Sequence, residues 1–526
     1  MSTKCGENAP LGIYTPGINQ EKEAVISSHF MHDINQNLNL MLYSPIDFAQ
    51  RALTISANLI NERLIPSLLA TSEQFIVKRA SAAKIRARKN FKEYGCSAQE
   101  QVGISEIITE AMFDRQFLKG PKSNCSRLIL SKKIKALVEK QEPIKMVIPA
   151  LPYKSSSPLK SRGIMPDLSE INFLLGLSEI VKTIALIYQE EMKTSNKIMA
   201  KFTVISDGSR FNAFLNESNE AIKAYQDKLR WWIVKLNIFN YVEIVDYQFV
   251  IENYLSKELY LEKKIIKDKV YRQYTELMIP LFEPCNIAKM ISRAIELDPD
   301  PEACNLEGRF IPLFKSLIYI VRYKSLIKYA QLNGDQYEPL YAELIRNIFV
   351  PYTELKEGEL ALIEEFIANP QQNIKPEQIQ CYEYLRQTML YEAWQATINY
   401  IAEIRSDRDL DFDPIGFCFV NYIRWTIHAK SGQMAILITT ANGDPIQAWH
   451  GAGVFKLTKN NKIKIYTLPT LLLEGEGATP VIIANDGVEC IINDQPLFYI
   501  HREIIYKNSD DLFEKIDKHL TRNRKF

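Results

Sequence analysis

An α/β fold, with a parallel core sheet and helices on both of its faces, is what this 526-residue sequence predicts. Three stretches carry that prediction. Met146-Val-Ile-Pro-Ala-Leu is a short apolar run punctuated by Pro149 and Pro152, the texture of a buried strand. Leu168 to Tyr188 repeats apolar side chains at helical spacing. Phe202-Thr-Val-Ile then runs into Ser206-Asp207-Gly208, a strand that ends in a polar turn. Strand, helix, strand in that order builds a parallel unit, and open parallel sheets bind ligands beyond the carboxyl ends of their strands. The expected core is therefore Rossmann-like.

Residues 1–128 read as a helical N-terminal extension. Within it, Lys78, Arg79, Lys84, Arg86, Arg88, Lys89 and Lys92 form a basic run without an acidic residue. A basic helix can bind lipid or nucleic acid. Only Ile85, Phe91 and alanines are interleaved, so a solvated helix face is the expectation. Lys132 to Lys140 reads as a further helix. The long helix starts after Pro166-Asp167, with Asp167 as N-cap candidate and Glu170 three residues on, the pattern of a capping box. The expected domains are the extension, an α/β domain over 129–510 with a helical insertion at about 335–380, and a helical C-terminal tail over 511–526. From Phe417 the period moves towards two, which predicts several short strands through residue 505.

Composition narrows the function classes. Hydrophobic residues make up 46% and charged residues 24%, ordinary for a globular protein with a sizeable core. With 64 basic and 63 acidic residues the net charge is +1, so no nucleic-acid or membrane partner is expected, and any anion site is local. Eight cysteines, none in a C-x-x-C pair, read as reduced thiols of a cytoplasmic protein. The N-terminus has no apolar signal-peptide region, and no uninterrupted apolar stretch approaches the ~20 residues of a spanning helix.

Four motifs can carry chemistry. Lys154-Ser155-Ser-Ser-Pro-Leu-Lys160 places two lysines and several hydroxyls in a loop ahead of a helix start, a suitable setting for a phosphate or carboxylate or, alternatively, an exposed basic turn. Ser206-Asp207-Gly208 offers a carboxylate that can accept a proton, or a plain turn. In Tyr422-Ile423-Arg424-Trp425-Thr426-Ile427-His428 the polar residues alternate with the apolar ones. Arg424, Thr426 and His428 then stand in a row at about 6–7 Å intervals, fit for an anion and proton transfer or for facing solvent. Trp449-His450-Gly451 brings a second histidine in the same β-rich segment. No third clustered ligand accompanies the two histidines, so no metal is expected. The alternating Asp407, Asp409, Asp411 and Asp413 lack the Gly and Glu of a calcium loop and read as an acidic linker.

In order and spacing these motifs resemble the PvcA-like isonitrile synthases, a family related to the spore-wall dityrosine proteins. The resemblance rests on Lys154, Ser155, Pro158, Lys160, Gly163, Pro166, Asp167 and Glu170; on Ser206, Asp207, Gly208 and Phe211; on Ile423, Arg424, Ile427 and His428; and on Trp449-His450-Gly451. It covers about residues 130–505 and leaves the N-terminal extension outside. The chain departs from the family pattern at Ser209, where an arginine is usual and Arg210 follows one place later, and at Ala213, Thr426 and Ala429. The resemblance implies an enzyme that turns the α-amine of an amino acid, tryptophan or tyrosine first, into an isonitrile, with ribulose 5-phosphate as carbon donor and no cofactor. It implies His428, His450 and Asp207 for proton transfer, and Lys154, Ser155, Lys160, Ser206, Arg210, Arg424 and Thr426 for holding the substrates. A separate oxygenase would tailor the product. Two other classes stay open: another sugar-phosphate or nucleotide-sugar transferase, and a binding protein that has lost catalysis.

Overall fold

The computed structural model describes residues 51–93, 103–113, 124–154, 160–192, 200–215, 217–278, 395–410 apart from 396–397 and 408–409, 414–426, 434–435, 446–484 and 495–521. The expected insertion at about 335–380 lies outside them, as do Ser155 and His428.

Along the chain the elements are β1 (Leu53–Ile55), α1 (Ile65–Glu93), α2 (Ile104–Met112), α3 (Asn124–Glu139), β2 (Ile144–Pro149), α4 (Leu168–Met192), β3 (Ala200–Ser206), α5 (Asn219–Lys235), β4 (Val242–Asp246), α6 (Tyr247–Tyr254) and α7 (Lys257–Met278). There follow α8 (Pro414–Cys418), β5 (Ile423–Thr426), β6 (Met434–Ala435), β7 (Ala452–Leu457), β8 (Ile463–Leu468), α9 (Thr470–Gly475), β9 (Thr479–Ile483), β10 (Phe498–Ile500) and α10 (Ser509–His519).

The described residues fall into two compact units. One draws on residues within 258–411. There Lys263 and Lys267 of α7 pair with Glu403 at 2.6 and 2.9 Å, and Lys263 also meets Asp407. Asp407, expected in an acidic linker, is thus part of an ion-pair cluster.

The other unit holds two five-stranded sheets. The first has the order β4-β3-β2-β5-β6, and every pairing is parallel. The order reverses between β2 and β5, which is where ligands enter open parallel sheets. The strand–helix–strand reading of 144–206 therefore holds, and the chain is a mixed α/β protein. The second sheet, β1-β9-β10-β7-β8, mixes parallel and antiparallel pairs. Its first strand comes from the N-terminal stretch expected to be helical. Leu53–Ile55 pairs with Val481–Ile483, which satisfies backbone groups along that edge of β9.

Helix α4 packs on β3 and β4 of the first sheet and on β7 and β8 of the second. A helix covered on both sides needs no polar stripe, so its apolar residues run all round. By length and composition alone α4 is long and apolar enough to cross a membrane, but most of it is buried inside the protein. Helix α1 packs on α2 and α4. Its basic run is only partly a solvated face. Arg79 is fully buried and its Nη2 donates to the Ala111 carbonyl at 2.7 Å. Lys84 pairs with Glu190 and Glu191 at 2.7 and 2.6 Å. Arg86 donates to the Glu110 carbonyl at 3.2 Å. These cations cap the carbonyl ends of α2 and the acidic end of α4, where the helix dipole favours them.

Candidate active site

Beyond β2 the chain turns sharply. The Ala150 amide donates to the Ile205 carbonyl at 3.0 Å, and Leu151 then takes a left-handed φ of 57°, unusual for a residue with a branched side chain. The Ser206 hydroxyl holds the turn by donating to the Leu151 carbonyl at 2.8 Å. The returning segment lies directly over Gly208: a Cβ there would stand 1.9 Å from the Pro152 carbonyl oxygen. Gly208 is thus required by a close backbone approach, which a plain surface turn would not demand.

That segment drives Lys154 into the interior. Its ammonium lies 2.6 Å from Asp167 and 2.7 Å from Glu170, and all three side chains are buried. The two carboxylates also build the expected capping box of α4. Asp167 Oδ1 accepts the Ser169 amide at 2.7 Å, and Glu170 Oε2 accepts the Asp167 amide at 3.0 Å. Tyr225 of α5 donates to Glu170 Oε1 at 3.2 Å. Burial pushes Glu170 above the usual carboxylate range, against the pull of Lys154 and with the push of Asp167. Lys154 therefore meets two carboxylates where a bound phosphate was expected.

The rest of the first motif fastens this helix start to the second sheet. Thr470 donates to the Lys160 carbonyl through both its amide and its hydroxyl, each at 3.1 Å. Arg162 forks onto Glu474, with Nη2–Oε2 at 2.9 Å. The Gln495 amide pairs in both directions with the Met165 backbone, at 2.9 and 2.6 Å, and its side chain occupies the place a Cβ on Gly163 would take. Asp167 Oδ1 also accepts the Gly453 amide of β7 at 3.3 Å. Burial of the Lys160 amine pushes it down to about 8, although the residue as a whole is only partly buried.

At the ends of β3 and β5 a charged group assembles. Burial pushes Asp207 up to about 6, against the nearby positive charge of Arg210. The Arg210 guanidinium lies over the rings of Phe211 and Tyr247, with centroids 4.9 and 5.0 Å away. Arg424 of β5 is lowered by burial and by the like charge of Arg210. Strand β5 lies between β2 and β6, an interior strand, with Arg424 level with Val147 and partly buried. Its other face carries Trp425, fully buried against Phe202 with ring centroids 5.5 Å apart. Thr426, at the strand end, is buried.

Ser206 ends β3, with Asp207 and Arg210 just beyond it, and Thr426 ends β5, so these residues stand at the carboxyl ends of the parallel strands, with Arg424 two residues back along β5 and Lys154 on the adjoining loop. His450 is not drawn in with them: it is exposed, on a short turn leading into β7, while the preceding Trp449 packs edge-on against Phe173 of α4 at 6.1 Å. Sequence reasoning missed Tyr225, Gln226 and Asp246. Asp246 ends the apolar strand β4 just as Asp207 follows β3, and that shared placement was the available signal.

The family model described as pyoverdine/dityrosine biosynthesis protein matches residues 134–306. Over 104 residues the chain is 36% identical to an L-tyrosine isonitrile synthase of Pseudomonas aeruginosa, a stretch that is 20% of this chain and 29% of that protein. Over 141 residues it is 29% identical to the L-tryptophan isonitrile synthase AmbI1 of Fischerella ambigua, 26% of this chain and 42% of that protein. The matched stretches thus span less than half the length of these relatives. Among solved structures, the crystal structure of the PvcA protein from Pseudomonas aeruginosa aligns with a TM-score of 0.38 and 18% identity, covering 75% of this chain and 99% of that one. Residues 134–306, which include the lysine loop, the capped start of α4 and the Ser206–Gly208 turn, are thus similar to the pyoverdine/dityrosine biosynthesis family and, in part, to the isonitrile synthases.

Proposed function

We propose that the protein is an isonitrile synthase, converting the α-amine of an amino acid, tryptophan or tyrosine first, into an isonitrile with the carbon drawn from ribulose 5-phosphate. The observation that carries this reading is the placement of Asp207 beside Arg210, whose charge also acts on Arg424, at the end of a parallel sheet. Joining an amine to a ketone removes a proton from nitrogen and delivers one to oxygen. A carboxylate that titrates at about 6 is mostly ionised at neutral pH and close enough to it to exchange protons readily. Two neighbouring guanidiniums suit a dianionic phosphate, since each presents forked N–H donors and their mutual repulsion is relieved by the anion. The strand order, reversing at β2 and β5, supports a Rossmann-like site at that edge.

The lysines divide in this reading. Lys154 is the buried positive centre that holds the start of α4, whereas Lys160 remains a phosphate-holding candidate. The names of the curated relatives support both tyrosine and tryptophan as substrates to try first.

The test is incubation of the full chain with tryptophan or tyrosine plus ribulose 5-phosphate, read by mass spectrometry. Isonitrile formation is expected. No isonitrile from any proteinogenic amino acid, together with binding of nucleotide sugars but not ribulose 5-phosphate, favours a sugar transferase instead. Arg424→Met is expected to raise KM for ribulose 5-phosphate about tenfold or more while leaving that for the amino acid within about threefold.

A further inference from the structure

Two neighbouring residues of α5 reach two different parts of this site. Tyr225 donates to Glu170, at the start of α4. Gln226 Nε2 donates to Ser206 Oγ at 3.1 Å and to Asp246 Oδ2 at 2.6 Å. Both side chains are buried. Successive helix residues point about 100° apart, so a single turn of α5 can touch both α4 and the ends of β3 and β4.

The amide of Gln226 links a chain of bonds. Its two N–H groups are used by Ser206 and Asp246. Ser206 in turn donates to the Leu151 carbonyl at 2.8 Å. Asp246 Oδ1 accepts the Ser209 hydroxyl at 3.0 Å and the Gln248 amide at 2.7 Å. The opposite amide orientation would set the Gln226 oxygen against the Asp246 carboxylate, so the network fixes the donor. Ser206 and Ser209 bracket Asp207, and Leu151 leads to Lys154. One buried amide therefore ties down the turn that carries Asp207 and the loop that passes over it.

We infer that Gln226 is a positioning residue, which holds the Ser206–Ser209 turn so that Asp207 meets the substrate. Ser209, where the family pattern has an arginine, serves this arrangement through its bond to Asp246. The inference rests on the reading of the site as that of an isonitrile synthase.

Gln226→Met keeps the side-chain length and removes both donors. Hydrogen–deuterium exchange of the turn needs no turnover, and the turn has its own reporters: the Arg210 amide bonds to Asp207 O at 3.2 Å and the Phe211 amide to Gly208 O at 3.0 Å. In Gln226→Met those two amides are expected to exchange about tenfold faster or more, with the amides of β2 and β3 unchanged. In the same variant kcat for isonitrile formation is expected to fall about 10- to 100-fold, with KM for ribulose 5-phosphate within about threefold. Should Gln226→Met fail to fold, Gln226→Glu paired with Asp246→Asn reverses donor and acceptor at that contact. The pair is expected to keep slow exchange and part of kcat, whereas Gln226→Glu alone loses both. Unchanged exchange of the turn, or unchanged kcat, in either single variant overturns the inference. A wild-type chain that forms no isonitrile overturns the reading of the site, and the exchange measurement then still decides whether Gln226 holds the turn.

Discussion

The ammonium of Lys154 lies 2.7 Å from Glu170 Oε2, and neither side chain is exposed. Asp167 shares the same ammonium at 2.6 Å. Burial is the main physical reason that Glu170 sits above its ordinary range; Lys154 pulls against it, and Asp167 adds to the push because two ionised carboxylates would leave the buried cluster with one negative charge in excess. Removing the lysine alone strands two carboxylates without their counter-ion. Lys154→Met is therefore expected to destabilise the protein by about 3–5 kcal/mol in denaturant unfolding. Adding Asp167→Asn and Glu170→Gln removes both charges and keeps side chains that can still cap α4, so the triple variant is expected to recover most of that loss. A single variant as stable as wild type would return Lys154 to an anion-gripping role.

That pairing also marks where sequence reasoning ended. Asp167 and Glu170 were legible because a capping box is local: three residues and a helix start suffice to specify it. The first sheet was legible in its β2–α4–β3 part because apolar runs and turn residues alternate there. That Lys154 faces those carboxylates was not, because loop composition does not say which way a side chain turns. The second sheet was legible only as short strands. Its order depends on pairing between distant segments, such as Leu53 with Val481. Tyr225 and Gln226 left no trace either, since a polar residue buried on a helix looks like any other polar residue until its partners are placed.

Gly208 faces a backbone oxygen, which cannot swing aside as a side chain can. A Cβ would stand 1.9 Å from Pro152 O, so Gly208→Ala must push apart the two loops that frame Asp207. A destabilisation of about 1–3 kcal/mol is expected from such overpacking, measured by thermal unfolding. Activity is expected to fall further than stability accounts for, because Asp207 is the adjacent residue. Gly453→Ala meets an equivalent obstacle: its Cβ would lie 2.6 Å from the Ser169 amide nitrogen and from Leu168 Cβ. There the cost is expected in stability, since β7 would be levered off the start of α4.

Asp207 makes the pH dependence of stability testable. Its carboxyl is raised from 3.8 to about 6, chiefly by burial, with Arg210 opposing. A group raised on folding contributes stability that is fully present below its unfolded value and is lost as pH rises through its folded value. The window is therefore about pH 4 to 6. The stability of Asp207→Asn relative to wild type should rise across that window and level off above it. The rate should follow the ionised form: wild-type activity is expected to fall as pH drops through about 6. Asp207→Asn is expected to lose that limb together with about 100-fold or more of the rate. A flat stability difference between pH 4 and 6 would show that Asp207 is solvated.

Lys160 offers the most direct test of phosphate binding. Burial lowers its amine to about 8, so roughly half of it is neutral at that pH, whereas an exposed lysine of ordinary pKa near 10.4 is almost wholly charged. Modification by an amine reagent, followed peptide by peptide across a pH series, should give Lys160 a midpoint near 8. The midpoint is the informative quantity, because restricted access slows the reaction at every pH and does not move it. An anion held by this amine favours the charged form. Saturating ribulose 5-phosphate is therefore expected to move the midpoint up by about one unit or more, and inorganic phosphate to move it in the same direction. A midpoint that stays put in saturating ligand would remove Lys160 from the phosphate site and leave that role to Arg210 and Arg424.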